Sequence, residues 1–377
     1  MRVMVFGTYD VRMHPRVGVL AEGLGRHGIE VVECNQPLGI DTAARVATLR
    51  QPWRLPFLLV RLARGWLAIA RRSRAMPLPD VVLVGYLGHF DVLLARRLFR
   101  HRPIVLDHLI SAADTARDRG EGGGLKQRLL AALDGAALRA ADVVVVDTEE
   151  HRELLPERFR ERAVVVAVGA PAAWFDAGRR TDGQAEAQGD LAARPLRVVF
   201  FGLFTPLQGT PTIGRALADL AAEPIDITMV GRGQDLETAR AAARGNERIT
   251  WLDWIPAAEL PELVARHDVC LGIFGTGPKA RRIIPNKVFQ GAAAGCAIVT
   301  SDTPPQRRAL GEAAAFVPAG DSAALATVLR RLAQDRGELS RLREEAGSLA
   351  RSRFAADQIV APLLQRLEAL PVSKQSA

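Results

Sequence analysis

Cysteine is scarce in this chain of 377 residues: Cys34, Cys270 and Cys296 are the whole supply, and they lie far apart. That excludes a disulfide framework and any zinc motif built on cysteine spacing. Each thiol sits in or beside an apolar run, so all three read as small core residues of a protein kept in a reduced, cytoplasmic compartment. Aromatic residues are also few, at 5%. Neither the aromatic signature of RNA-binding sheets nor a helix-turn-helix or zinc finger is present, so nucleic acid is not an expected partner. No run approaches the roughly eighteen apolar residues that span a bilayer. The opening MRVMVFGTYD reads as a short strand and not as a secretory signal. No G-x-G-x-x-G follows that strand, which argues against a dinucleotide-dependent oxidoreductase.

What the chain does have is a large apolar fraction, 48%, and enough length for two ordinary domains. Strand-like runs alternate with helical patterns throughout. In the first half they fall at Val3–Phe6, Val31–Cys34, Val81–Val84, Ile104–Leu106, Val143–Val146 and Val164–Val168. In the second half they fall at Val198–Phe201, Ile227–Val230, Ile249–Trp251, Val269–Phe274, Ala297–Thr300 and Ala315–Val317. Such alternation predicts parallel sheets covered on both faces, hence an α/β protein of two doubly wound domains with ligands at the carboxyl ends of the strands. The stretch 178–195 has almost no bulky apolar residue and reads as a flexible linker. The expected division is residues 1–177, the linker, residues 196–350, and a final helix over 351–370 that crosses back to the first domain.

The net charge of +8 is uneven. Residues 1–170 carry 25 Lys and Arg against 19 Asp and Glu, a balance of +6. Residues 42–79 hold eight arginines (45, 50, 54, 61, 64, 71, 72 and 74) and no acid. On a helix over 55–72, Leu55, Leu58, Leu59, Leu62, Trp66 and Ile69 share one arc, and Arg61, Arg64, Arg71 and Arg72 lie opposite. The pattern over 54–74 fits a helix lying on an anionic membrane surface, or one packed on its own sheet with solvated arginines.

The densest motif is VCLGIFGTGPKARRIIPNKVFQGAAAGCAIVTSD, from Val269 to Asp302. It reads as strand, basic glycine-rich loop, a helix from Asn286 to Ala294 stopped by Gly295, and another strand. A helix N-terminus ringed by Lys279, Arg281, Arg282 and Lys287 is suited to a polyanion. Upstream, RVVFFGLFTPLQGTPTIGRAL offers Gly202 and Gly209 around a loop that opens a helix. These parts, in this order from Val198 to Val317, resemble the donor half of family 4 retaining glycosyltransferases of GT-B fold.

That resemblance implies two Rossmann-like domains facing across a cleft, a nucleotide-diphosphate sugar as co-substrate, and transfer with retention and without a metal or other cofactor. It also implies donor contacts by Gly202, Gln208, Gly209, Gly231, Ile255, Lys279, Arg281, Asn286, Lys287 and Gln290. The family loop reads G-R-four residues-K-G; here Leu203 and Gln208 stand at the two charged positions. Arg282 and Gln290 stand where the family has its pair of glutamates, eight residues apart. Guanidinium is a donor only, so Arg282 can grip a diphosphate but cannot accept from a sugar hydroxyl. The four cations of 279–287 are expected to take over the charge missing from the first loop.

In the first domain, Gly7, Tyr9, Arg16, His89 and Ser111 follow strand ends and are expected on the acceptor side. His108, Asp107 and Arg282 are the candidate catalytic residues. The acceptor is expected to be a sugar or glycolipid of the cell envelope. The alternative is a homologue that keeps the fold but has lost catalysis, serving as a nucleotide-binding or partner subunit.

Overall fold

The computed structural model describes residues 1–11, 15–38, 55–85, 88–109, 111–114, 124–185 and 194–370. It divides into two compact units, Met1–Ala167 joined by the chain from Ile359, and Val168–Gln358.

The first unit contains β1 (Arg2–Gly7), β2 (Glu30–Asn35), β3 (Val81–Val84), β4 (Ile104–Asp107), β5 (Val143–Val146) and β6 (Ala163–Val165). They pair in parallel in the order β2-β1-β3-β4-β5-β6. The second contains β7 (Leu196–Phe201), β8 (Ile225–Val230), β9 (Ile249–Leu252), β10 (Val269–Leu271), β11 (Ala297–Ser301) and β12 (Ala314–Val317). These too are parallel, in the order β12-β11-β10-β7-β8-β9. The central strands are nearly unbroken apolar runs, as expected where helices cover both faces and leave no face for polar residues. Phe200, Ile227, Leu271 and Val299 form the second core with Leu325 and Leu329 of helix Ser322–Gln334. Met4, Phe6, Val84, Leu106 and Val144 centre the first.

Each sheet has one place where successive connections leave in opposite directions. It lies between β1 and β3 in the first unit and between β7 and β10 in the second. Such switch points open a crevice at the carboxyl ends of the strands, where ligands of doubly wound folds bind.

All twelve strand-like runs form strands. The run expected over Val269–Phe274 is assigned as strand only to Leu271, although Gly272 N–H still donates to Val299 O at 2.8 Å and Ser301 N–H to Ile273 O at 3.1 Å; Phe274 then donates its N–H to Gln208 O at 3.0 Å. The stretch read as a linker from 178 also differs. Helix Ala172–Ala185 runs across its first part, tied to the second unit by Trp174 stacked on Phe201 at 5.4 Å and by Ala170 N–H donating to Phe354 O. Side-chain polarity beyond Gly178 hid a helix whose buried side is set by Trp174 and Ala177. Residues 186–193 and 371–377 lie outside the described residues.

The last segment is not one helix. Helix Arg336–Leu349 passes through a π turn at Ala350–Phe354, and Ala355 turns extended. Helix Ala361–Glu368 then packs on β6 with Leu363 and Leu367 buried, and Arg366 donates to Glu161 O.

Helix Leu55–Ala75 buries Leu62, Gly65, Ile69 and Ser73 against its own unit, and Trp66 Nε1 donates to Asp91 Oδ1 at 2.9 Å. The expected apolar arc is thus partly inward. Leu59 breaks from it and is exposed, as are Phe57, Val60 and Leu67, which share the outer side with Arg61, Arg64 and Arg71. Arg45, Arg50 and Arg54 lie outside the described residues. Among the described residues no helix is long and apolar enough to cross a membrane.

Candidate functional site

At the switch point of the second unit two loops meet, 202–209 after β7 and 272–285 after β10. Glycines make the approach possible. Gly202 and Gly231 have φ of 133° and 130°, and a Cβ on Gly231 would collide with Gly202 O. Gly209, at φ 65°, begins helix Thr210–Ala218, and a Cβ there would collide with Phe274 and Gly275. Left-handed backbone with no room for Cβ leaves glycine as the unstrained choice.

Helices Thr210–Ala218 and Asn286–Ala293 both start here without a side-chain cap. The positive ends of their dipoles face this junction, while Thr212 N–H and Val288 N–H already donate to Gly209 O and Pro285 O. Oγ1 of Thr210, in the first turn, is buried and has no hydrogen-bond partner among the described residues.

Lys287, in the first turn of helix Asn286–Ala293, is buried. Its Nζ donates to Oε1 of Gln208 at 2.6 Å and stands 3.6 Å above the centre of the Phe200 ring. A Cβ on Gly202 would come within 3.3 Å of the same nitrogen. The ammonium thus stands beside position 208, where the resemblance called for a lysine. Burial pulls Lys287 down to about 7, only weakly opposed by the neighbouring Cys270 thiol, itself pushed up to about 12 by burial.

The other candidates divide by depth. Gln290 is buried one turn beyond Lys287. Lys279 and Arg282 are half-buried, with Arg282 Nε donating to Pro278 O at 3.0 Å, whereas Arg281 and Asn286 are exposed. Ile255 is half-buried after β9, next to exposed Trp254, whose ring carries Arg232 at 5.2 Å. Sequence reasoning missed Gln306. It is fully buried, accepts from Thr300 Oγ1 at 2.6 Å and donates to Ser301 O and Thr303 Oγ1, fixing the turn after β11.

In the first unit, Asp91 ties the loops at the switch point. Its Oδ2 accepts from Thr8 N–H and Thr8 Oγ1, and Gly7 passes close by at φ 153°. Tyr9 is buried and donates its hydroxyl to Glu33 Oε1 at 2.7 Å; burial and that bond push the phenol well above its ordinary value. Arg16 and Asp107 form a buried ion pair. Arg16 Nε reaches both carboxylate oxygens at 2.9 and 3.0 Å, and its other nitrogens donate to Val166 O and Ala167 O. The two side chains assigned to the site are thus engaged with each other. An isolated buried charge is costly, and this pairing is what permits both.

His108 is buried, and desolvation together with nearby His89 pulls its imidazole down to about 3, so the ring is neutral. His89 approaches Asp134, a residue with no sequence signal. Burial alone would raise Asp134, but His89, Ser111 and Ala112 hold it at about 2.

The chain thus consists of two doubly wound α/β units with parallel sheets. Residues 195–335 match the family model Glycosyl transferases group 1. No curated protein matches the sequence significantly. Among solved structures, the chain is similar to sucrose-phosphate synthase from Thermosynechococcus elongatus, at 14% identity and TM-score 0.70, over 98% of this chain and 99% of that one. It is likewise similar to Anabaena HepE in complex with UDP-glucose, at 15% identity and TM-score 0.64, over 98% and 99%. A glycosyltransferase from Rickettsia africae follows at 12% identity and TM-score 0.61, over 100% and 99%. At these identities the likeness establishes the fold.

Proposed function

We propose that the protein transfers a sugar from a nucleotide-diphosphate sugar to an acceptor, with retention and without a required metal. The observation that carries this reading is the Lys287 ammonium seated between Gly202 and Gln208 at two uncapped helix starts. A diphosphate bound there would meet a cation and two helix dipoles, which would stabilise the leaving group in place of a metal ion. Arg282 adds a second cation at the mouth of the loop. Gln290 supplies the remaining ribose contact, and Ile255 flanks the base. HepE has been captured with UDP and with UDP-glucose, which makes uridine diphosphate the first ligand to try.

We assign the acceptor to the first unit. His108 is the group kept for it, because Asp107 is spent on Arg16. The exposed side of helix Leu55–Ala75, with Phe57, Val60 and Leu67 among arginines, supports a peripheral place on an anionic cytoplasmic membrane face and hence a cell-envelope acceptor.

The test is calorimetric titration with UDP, GDP and ADP, followed by donor turnover with and without chelator. Tight diphosphate binding with slow donor hydrolysis that a chelator leaves untouched supports the enzyme. Diphosphate binding without any donor turnover favours the second reading, a nucleotide-binding subunit, which the loss of both family glutamates at Arg282 and Gln290 motivates.

A further inference from the structure

Three buried side chains of the first unit converge although nothing in their spacing announces it: His89 after β3, His108 after β4, and Asp134 on helix Gly124–Ala140. Each can present one ligand atom so that all three lie within 4.8 Å of one another. The two imidazoles meet edge to face with ring centres 5.4 Å apart. Nε2 of His89 lies 3.0 Å from Oδ1 of Asp134 but without hydrogen-bond geometry. Among the described residues, Nδ1 of His108 is buried without a hydrogen-bond partner, and Nε2 of His89 has only its close approach to Asp134.

A buried imidazole nitrogen without a partner, beside a close histidine–carboxylate contact, calls for an explanation, since buried polar atoms are nearly always satisfied. The carboxylate is held rigidly. Oδ2 of Asp134 accepts from Ser111 Oγ at 2.7 Å and Ala113 N–H at 3.1 Å, and Oδ1 accepts from Ala112 N–H at 2.9 Å. This is the outer support that orients a ligating carboxylate. Two atoms each about 2.0–2.2 Å from a tetrahedral zinc ion stand roughly 3.3 Å apart. The His89–Asp134 approach is already close to that separation.

The geometry points to a site on the first unit for one borderline-soft divalent cation, Zn²⁺ or Co²⁺, held by His89, His108 and Asp134 with a fourth position open. Two imidazoles and one carboxylate suit such an ion, whereas Mg²⁺ and Ca²⁺ take oxygen ligands. The argument uses the first unit alone and stands whether or not the second binds a nucleotide sugar. A cation here and an acceptor contact by His108 are alternative uses of the same ring.

The experiment uses the full chain, tag removed and chelator-treated. Co²⁺ is titrated while visible absorption is followed, and Zn²⁺ is titrated by calorimetry with Mg²⁺ as control. One equivalent of Co²⁺ should give the intense bands of a low-coordinate site. Zn²⁺ should displace them, and Mg²⁺ should not. His108→Gln and Asp134→Asn should each weaken Zn²⁺ binding by more than about 100-fold, and Ser111→Ala, which only orients Asp134, by about tenfold. Equal Co²⁺ spectra for the parent and the His89→Ala/His108→Ala double variant would overturn the site. If that variant does not fold, the parent decides alone: only weak octahedral bands, or no saturation, overturns it as well.

Discussion

Nζ of Lys287 and Oε1 of Gln208 lie 2.6 Å apart across 79 residues of sequence. The cation that the loop after β7 lacks is delivered from a helix in another βα unit. Position 208 keeps only the acceptor that holds it.

If this ammonium receives the diphosphate, Lys287→Gln should weaken UDP binding by about 1.5–3 kcal/mol, the range of a charged hydrogen bond. Uridine should be affected little. Because Lys287 lies at about 7 in the free protein, UDP affinity in the parent should fall as pH rises above 7, by up to about tenfold per unit. The variant should lack that dependence. Calorimetry at several pH values reads both effects, and equal losses for UDP and uridine would remove Lys287 from the phosphate site.

The same lysine makes a stability prediction. Its ordinary value is 10.5 and the folded value about 7, so between them the unfolded chain binds more protons. Stability must then rise with pH across that window. The Cys270 thiol, raised from 9.0 to about 12, acts in the opposite sense above 9. Between pH 7 and about 8.5 the parent should therefore gain melting temperature relative to Lys287→Met. Parallel pH profiles for the two proteins would show that the lysine is not desolvated.

Arg16→Met should destabilise the first unit by roughly 3–5 kcal/mol, the cost of leaving a buried charge unpaired. It strands the Asp107 carboxylate and the carbonyls of Val166 and Ala167. Adding Asp107→Leu should restore a good part of the loss. Urea unfolding followed by a probe in the first unit measures it, and a single variant within about 0.5 kcal/mol of the parent contradicts the pairing.

Replacing Arg61, Arg64 and Arg71 by Gln should remove binding to anionic vesicles while leaving the helix in place, since its inward side is held by Leu62, Ile69 and the Trp66–Asp91 bond. Binding by the parent should fall with salt, because exposed charges are screened. Cosedimentation that is the same in parent and variant would leave the outer side of this helix without a membrane role.

The sheets were legible in the sequence because a parallel strand buried on both faces must be an apolar run, and Val143–Val146 could hardly be anything else. Glycines forced by backbone geometry were legible too: Gly209 and Gly231 sit where a Cβ would collide with backbone, and Gly202 has a φ of 133°. Partnership between side chains was not. Nothing in the order of residues tells that Asp107 is consumed by Arg16, 91 positions earlier, or that Asp134 arrives beside His89 from a helix. Such meetings are set by the register of separate elements. The helix across Gly178 was hidden for a related reason: a polar outer side resembles a linker until its few inward residues are seen in contact.

The return of the chain at Ile359 makes the first unit discontinuous, with the whole second unit inserted between its parts. β6 is an edge strand, and the helix that packs on it, Ala361–Glu368, follows the whole second unit in the chain. On the ribosome the second unit has every residue it needs while the first still waits for its final helix. The unit that begins first is thus completed only after the whole second unit has been made.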